Sequence, residues 1–213
     1  MGIFSKNSNS ILGLDISSTA IKVVELEKSG NNFRLLHYSI EPLPQNAVSE
    51  NSISDVEQVS SSITRAIKRS GARSRNVATA IPGSHVISKR IFMPHGLRED
   101  ELESQITLEA DHYIPYPLDE VNIDFEVLGP ALECPNEDEI LLVACRKEIV
   151  DDYIAVLEDA GLTPVVLDVE YFAVENAYEQ IVQDLPGGGM EKITAVMDFG
   201  ATTLHVNVIQ NNR

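Results

Sequence analysis

The sequence predicts an α/β fold built round one hairpin used twice, with a smaller strand-helix-strand-strand unit inserted between the two copies. Three observations carry that. Residues 11–26 (Ile-Leu-Gly-Leu-Asp-Ile-Ser-Ser-Thr-Ala-Ile-Lys-Val-Val-Glu-Leu) run apolar to Asp15, turn through Ser17, Ser18 and Thr19, and leave in a second β-branched run. That is a two-strand hairpin with an acid at the end of its first strand. Residues 197–206 (Met-Asp-Phe-Gly-Ala-Thr-Thr-Leu-His-Val) repeat it in register, with Asp15 falling on Asp198, Ser17 on Gly200, Thr19 on Thr202, Ile21 on Leu204 and Val23 on Val206. Between the copies, strand patterns alternate with helical ones, as in a mixed α/β chain.

The elements follow in order. Residues 33–40 read as a third strand, stopped at Glu41-Pro42-Leu43-Pro44. Ser54 and Glu57 read as a capping box, and Val56, Val59, Ile63 and Ile67 continue at helical spacing until Gly71 closes the helix. Arg65, Lys68, Arg69, Arg73 and Arg75 cluster there and read as a solvated face with cations at a helix C-terminus. Residues 77–81 are a short buried strand, which completes the first part of a large domain, 1–84.

The inserted unit is read as 85–163. It opens with a strand over 85–93 and a helix over 98–114 that has Leu102, Ile106, Ala110 and Tyr113 on one face. Pro115 and Pro117 stop that helix, and 121–127 alternates as a half-buried strand. A polar loop, a strand over 139–145 and a helix over 149–160 follow. Residues 164–169 return to the large domain as a strand, and a helix runs from Glu170 to about Leu185. Residues 186–189 (Pro-Gly-Gly-Gly) end the 164–189 segment as a linker. Residues 190–213 then begin a second domain with the repeated hairpin alone. Such a hairpin cannot bury its own apolar faces, so it must lean on the first domain, pair with another copy or stay loose.

The two hairpins resemble the phosphate loops of the actin, Hsp70 and sugar-kinase superfamily. Four further stretches, 12–22, 41–48, 108–121 (Leu-Glu-Ala-Asp-His-Tyr-Ile-Pro-Tyr-Pro-Leu-Asp-Glu-Val) and 143–148 (Val-Ala-Cys-Arg-Lys-Glu), resemble the PilM family of type IV pilus assembly proteins, itself similar to FtsA. The likeness covers essentially the whole chain. It implies an actin-like (ribonuclease H-like) fold in which 85–163 is the inserted subdomain 1C and the flanking parts are subdomain 1A. It also implies that the chain is a fragment, because the second actin-like domain is only begun.

Small residues let a turn approach a ligand closely, and its N–H and hydroxyl groups can surround phosphate oxygens. The resemblance implies ATP at Asp15, Ser17, Ser18, Thr19 and Lys22 on one side and Asp198, Gly200, Ala201 and Thr202 on the other. Asp15 would face Mg²⁺ through water. Binding is expected to be weak in a chain of this length. For hydrolysis, Asp168, Glu170 and Glu175 are available near the helix-strand connection. No catalytic residue is assigned, and at most a weak ATPase is expected.

The resemblance further implies that the short N-terminal cytoplasmic tail of the inner-membrane protein PilN docks between 1A and 1C, with Ile81, Val86, Ile87, Ile91, Phe92, Val166 and Leu167 as candidate contacts. Other pilus proteins, motor ATPases and a homodimer are further expected partners. The alternatives are a sugar- or acetate-kinase-type enzyme, against which the inserted unit counts, and an FtsA-like polymerising protein.

Composition agrees with a scaffold. The 213 residues are 43% hydrophobic and carry a formal net charge of −17, which argues against nucleic acid and anionic lipid and for basic partners. Cys134 and Cys145 form neither a disulfide framework nor a zinc site. Residues 1–10 lack the apolar core of a signal peptide, and no run is long enough to span a bilayer, so a cytoplasmic protein reaching the membrane through partners is expected. The five histidines, His205 among them, read as scattered.

Overall fold

The structure is a computed structural model, and it describes residues 10–30, 32–132, 134, 136–182 and 193–210. The fold is α/β and divides into two compact units, one from the residues up to Pro82 together with those from Asp152 onward, the other Gly83–Asp151.

The first unit is organised by a five-stranded sheet. Strand β1 (Leu12–Ile16) and β2 (Ala20–Ser29) form the first hairpin, and β3 (Asn32–Pro42) extends it antiparallel. Strands β4 (Val48–Ser49) and β5 (Ser52–Ile53) make a small separate hairpin, and helix α1 (Val56–Ser70) follows. Strand β6 (Asn76–Ile81) then runs parallel to β1 on its other side. The third strand is longer than residues 33–40, taking in Glu41 and Pro42. It is the edge of the sheet, where a proline's missing N–H deprives no neighbour of a bond.

Alternation along β1 and β2 places Leu12, Leu14, Ile16, Ile21 and Val23 on one buried face. Helix α1 packs on β2 and β3 and contributes Val59, Ile63, Ala66 and Ile67 to the buried set. Ser39 of β3 donates to the Ala66 carbonyl at 2.7 Å. The N-cap of α1 is Asp55, one residue later than Ser54, because its carboxylate accepts from the Gln58 N–H at 2.9 Å. The Ser54 N–H instead donates to Ala47 O. Gly71 ends the helix at φ 74°, a left-handed conformation that suits glycine.

In the second unit, β7 (Val86–Pro94), β8 (Val121–Pro130) and β9 (Glu137–Arg146) form an antiparallel sheet in the order β7-β9-β8. Helix α2 (Glu99–Glu109) packs with this sheet through Leu102 and Ile106, against a core that includes Ile91, Met93, Ile140 and Leu142. The helix stops five residues short of Ile114. A residue before proline avoids helical backbone, and the chain tightens into a 3-10 turn over Ala110–His112 ahead of Pro115 and Pro117. Ala110 and Ile114 are still buried in that core.

Helix α3 (Lys147–Asp159) starts in the second compact unit and finishes in the first. Asp159 accepts from Ser60 of α1 at 2.5 Å, which ties its far end to the first unit. Strand β10 (Thr163–Val169) joins β6 in parallel and completes the sheet order β10-β6-β1-β2-β3. Helix α4 (Glu170–Ile181) packs on β6 and β10. The end of that helix near Leu185, the linker and the boundary at 190 lie outside the described residues.

The repeated hairpin is β11 (Ile193–Phe199) and β12 (Leu204–Gln210). Of the three fates open to it, it leans on the first unit, through one face only. Ile209 is buried with Tyr178 and Val182 at the end of the α4 segment, and Val196 packs against them. Tyr178 Oη donates to Thr194 Oγ1 at 3.1 Å and Asn207 Nδ2 to the Tyr171 carbonyl at 3.3 Å. The opposite face, with Met197, Phe199, Leu204, Val206 and Val208, is exposed.

Candidate phosphate site

The site begins with two turns of the same design. In the first, the Ser17 N–H donates to the Ala20 carbonyl at 3.0 Å; in the second, the Gly200 N–H donates to the Thr203 carbonyl at 3.0 Å. Ser17 and Gly200 are equivalent in the repeat, and so are Ala20 and Thr203, so the duplication extends to the bond that closes each turn. A Cβ at Gly200 would stand 2.9 Å from the Thr203 carbonyl oxygen, a backbone atom with little room to yield. At the first turn Ser17 fits, and its hydroxyl is spent inside the turn, donating to Ala20 O at 2.9 Å.

The turns meet. Ser18 Oγ lies 3.1 Å from Thr202 Oγ1, across 184 residues of sequence. Thr19, Gly200, Ala201 and Thr202 are exposed around this contact, while Ser17 and Ser18 are partly buried. The Thr19 carbonyl accepts from the Leu43 N–H at 2.8 Å, which anchors the first turn to the chain beyond β3.

Charge is arranged behind the turns. Asp15 and Lys22 face each other across β1 and β2, with Lys22 Nζ 2.9 Å from the Asp15 carboxylate. That hydrogen bond holds the Lys22 ammonium above its usual value, against the opposing pull of desolvation. Asp198 and His205 face each other across β11 and β12 at the equivalent positions. Glu170, the first residue of α4, joins them: burial raises its carboxyl above the usual range, Asp15 and Asp198 add to the rise, and His205 and Lys22 oppose it. A partly buried acid at a helix start, within the field of both hairpins, is what separates Glu170 from the other two acids considered. Asp168 accepts from the adjacent Val169 N–H at 2.7 Å on β10, and Glu175 lies further along α4.

Sequence reasoning brought together the nine loop residues but passed over His205. The signal was present, since the register that pairs Ile21 with Leu204 and Val23 with Val206 also sets Lys22 on His205.

The candidate peptide contacts are distributed differently. Ile81 and Ile91 are closed in the cores of their own units. Val166 on β10 is exposed and Leu167 beside it is partly buried. In the second unit, Phe92 is 54% exposed, on the alternate side of β7 from Ile91 and Met93. Val86 and Ile87 line a cavity of about 690 Å³ together with Lys89, Asp111, Ile114 and Pro115, among others. Tyr116 lies just beyond, its ring 5.9 Å below the Arg146 guanidinium, which also pairs with Glu148.

Among the described residues no helix is long and apolar enough to cross a membrane. A family model described as type IV pilus assembly protein PilM matches residues 13–213. The chain is similar to a solved structure of the PilM-PilN type IV pilus biogenesis complex, at 30% identity and a TM-score of 0.80. The match covers 94% of this chain and 58% of that one, so the chain spans somewhat over half the length of that relative. It is also similar, at 14% identity and a TM-score of 0.50, to the cytoplasmic domain of EpsL, an inner-membrane component of the type II secretion system of Vibrio cholerae. That match covers 78% of this chain and 59% of the other, and it bears on the fold alone. With the family match running over nearly the whole sequence and the closing bond of the turn repeated, the chain belongs to the PilM family of actin-like type IV pilus assembly proteins.

Proposed function

We propose that this chain forms the nucleotide-holding part of a PilM-type scaffold, which carries ATP phosphates between its two hairpin turns and receives the N-terminal tail of a PilN-type membrane protein on its inserted unit. The observation that supports the first half is the contact between Ser18 and Thr202, with the two matching turn bonds behind it. Two turns that present N–H groups and hydroxyls to one place can cradle an anion from both sides. Lys22 supplies the positive charge, as a point cation able to leave Asp15 for a phosphate oxygen.

Magnesium fits this arrangement through its water shell. No three His, Cys, Asp or Glu side chains converge closely enough to cage a metal ion among the described residues. Asp15 would therefore touch a hydrated Mg²⁺ held chiefly by the phosphates, whose charge the ion would offset. Glu170, at the start of α4 and within the field of both hairpins, is the candidate we assign to orient a water. Its raised proton affinity is the direction a general base needs near neutral pH. Slow turnover or binding alone is the activity this supports.

The second half draws on the cavity of the inserted unit and on charge. Its apolar lining at Val86, Ile87, Ile114 and Pro115 suits an aliphatic side chain of an extended peptide, and Asp111 suits a basic neighbour. A net charge of −17 favours encounter with a basic tail. The chain would then work at the cytoplasmic face of the inner membrane, held there by its partner.

Two titrations test this. Mg-ATP binding by the chain should be saturable and weakened by Lys22→Met. Anisotropy of a labelled PilN-type N-terminal peptide should rise saturably, and Ile87→Asp should abolish the rise with the fold intact. Absence of both signals in the wild type would remove the proposal.

A further inference from the structure

Alternation gives the β2–β3 pair two unlike faces. The face toward α1 holds Ile21, Val23, Glu25 and Ser39, all buried. The other holds Val24, Leu26, Phe33, Leu35, Tyr38 and Ile40, which are between 40% and 66% exposed. The register joins these six into one stripe. Val24 stands opposite Tyr38 and Leu26 opposite Leu35, with Lys22 beside Ile40 at one end and Lys28 beside Phe33 at the other. Val24 also leans over Gly13 of β1, where a Cβ would stand 3.0 Å from its Cγ2, so the flank of the stripe is flat. By the same alternation all three acids of these strands fall on the α1 side: Glu25 is buried, Glu27 pairs with Arg34, and Glu41 pairs with Arg65 of α1. In a chain with 33 acidic residues, the stripe has none. Helix α4 lies on β6 and β10, at the other end of the sheet, and does not reach it.

We propose that this stripe is a self-association surface, on which a second copy of the chain packs face to face about a twofold axis. The proposal is independent of the nucleotide and tail readings. Size is the first argument. At these exposures the six side chains leave roughly 600 Å² of apolar surface open, the upper end of what the largest patch on a monomer shows. Two copies would bury about 1,200 Å² between them, above the about 1,000 Å² that a specific interface needs. Charge is the second. A basic tail would meet Lys22 and Lys28 here and no acid. A twofold axis instead sets apolar centre on apolar centre and leaves the lysines at the rim, their stems along the apolar surface and their ammonium groups in water. The net charge of −17 opposes association at a distance. At about 0.15 M salt, however, that repulsion is screened beyond about 8 Å, and the nearest acids lie across the sheet. Two sheets in such contact stand about 10 Å apart with their side chains interdigitating.

Sedimentation velocity of the whole chain, from about 1 to about 200 µM, tests this. Wild type should pass from monomer to dimer across that range. Val24→Asp and Tyr38→Lys should each weaken the dimer by about tenfold or more, because each sets a charge at the centre of an apolar contact. Tyr38→Phe keeps the ring and should dimerise like wild type. Phe199→Asp, on the exposed face of the second hairpin, should also leave the dimer unchanged. Circular dichroism and thermal unfolding check that each variant is folded; if Val24→Asp is not, Leu26→Lys puts the same question to β2. Val24 and Leu26 lie on the inner strand and Tyr38 on the edge strand, so the variants also separate modes of pairing. Loss with Tyr38→Lys alone would mean edge-to-edge pairing of β3, and loss with Phe199→Asp alone an interface at the second hairpin. Either overturns the proposal, and so does a wild type that stays monomeric throughout.

Discussion

Replacing Lys22 by Met separates what the Asp15–Lys22 pair does for the fold from what it does for the ligand. The ion pair is short, at 2.9 Å, but its side chains are 55% and 46% exposed. A pair that open to water contributes only about 0–1 kcal/mol to stability, because solvent screens it and both side chains lose freedom to hold it. Methionine keeps the length and the apolar stem, so thermal unfolding should move by a few degrees at most. The ligand should be affected much more. A charge-assisted hydrogen bond from an ammonium to phosphate contributes about 1.5–3 kcal/mol, which corresponds to a loss of roughly ten- to a hundredfold in affinity. Calorimetric titration of Mg-ATP, run beside a thermal melt, gives both numbers from one preparation. A variant that binds within twofold of wild type would refute the phosphate role of Lys22. So would a collapse of the melt, which would mean the residue serves the fold.

Other changes read out the remaining parts. Glu170→Gln should raise the melting temperature at neutral pH, because burial lifts the carboxyl's proton affinity in the folded chain and its ionised form is disfavoured there. A raised carboxyl contributes its stability below the unfolded value of 4.5 and loses it as pH rises through the folded value, so the advantage of Glu170→Gln should vanish below about pH 4.5 in a series of melts. Asp55→Ala removes the cap on the Gln58 N–H and should cost about 1 kcal/mol in denaturant unfolding. Ile106→Ala, at a side chain 2% exposed, should cost about 2–5 kcal/mol and loosen β7, β8 and β9 in hydrogen exchange while β1, β2 and β6 stay protected. Ile87→Asp should abolish binding of a PilN-type peptide, whereas Phe92→Asp, outside the cavity lining, should leave it nearly unchanged by anisotropy.

How much was legible in the sequence depended on how local the determinant is. The turn residues were readable because a small-residue turn after an acid is a local pattern, and its repetition at Asp198 doubled the signal. The strand-helix-strand-strand unit was readable from periodicity at Leu102, Ile106 and the alternation of 121–127. Three things were set by longer-range competition. The N-cap falls on Asp55, whose carboxylate reaches the Gln58 N–H, while the Ser54 and Asp55 N–H groups both close on the Ala47 carbonyl beside a β4–β5 hairpin that the sequence did not reveal. Helix α2 stopped at Glu109 although Ala110 and Ile114 keep the helical spacing, since prolines downstream override a periodic apolar pattern. Ile81 and Ile91 looked like groove residues but are core, because period-two alternation shows two faces and does not say which of them another element covers.

The two hairpins share a turn-closing bond and differ in how far their strand faces are covered. The turn bonds match, Ser17 to Ala20 and Gly200 to Thr203. The strand faces do not. Leu12, Leu14, Ile16, Ile21 and Val23 are at most 4% exposed, whereas Met197, Phe199, Leu204 and Val206, their counterparts beyond Ala195, are about half to three-quarters exposed. The closing bond is thus common to two hairpins whose strand faces are covered to different extents in this chain. The second turn is instead positioned by α4, through Tyr178 on Thr194 and the Tyr171 carbonyl on Asn207. The same helix carries Glu170 at its start. One helix therefore packs on β6 and β10, holds the second hairpin through Tyr178 and Tyr171, and carries Glu170 at its start.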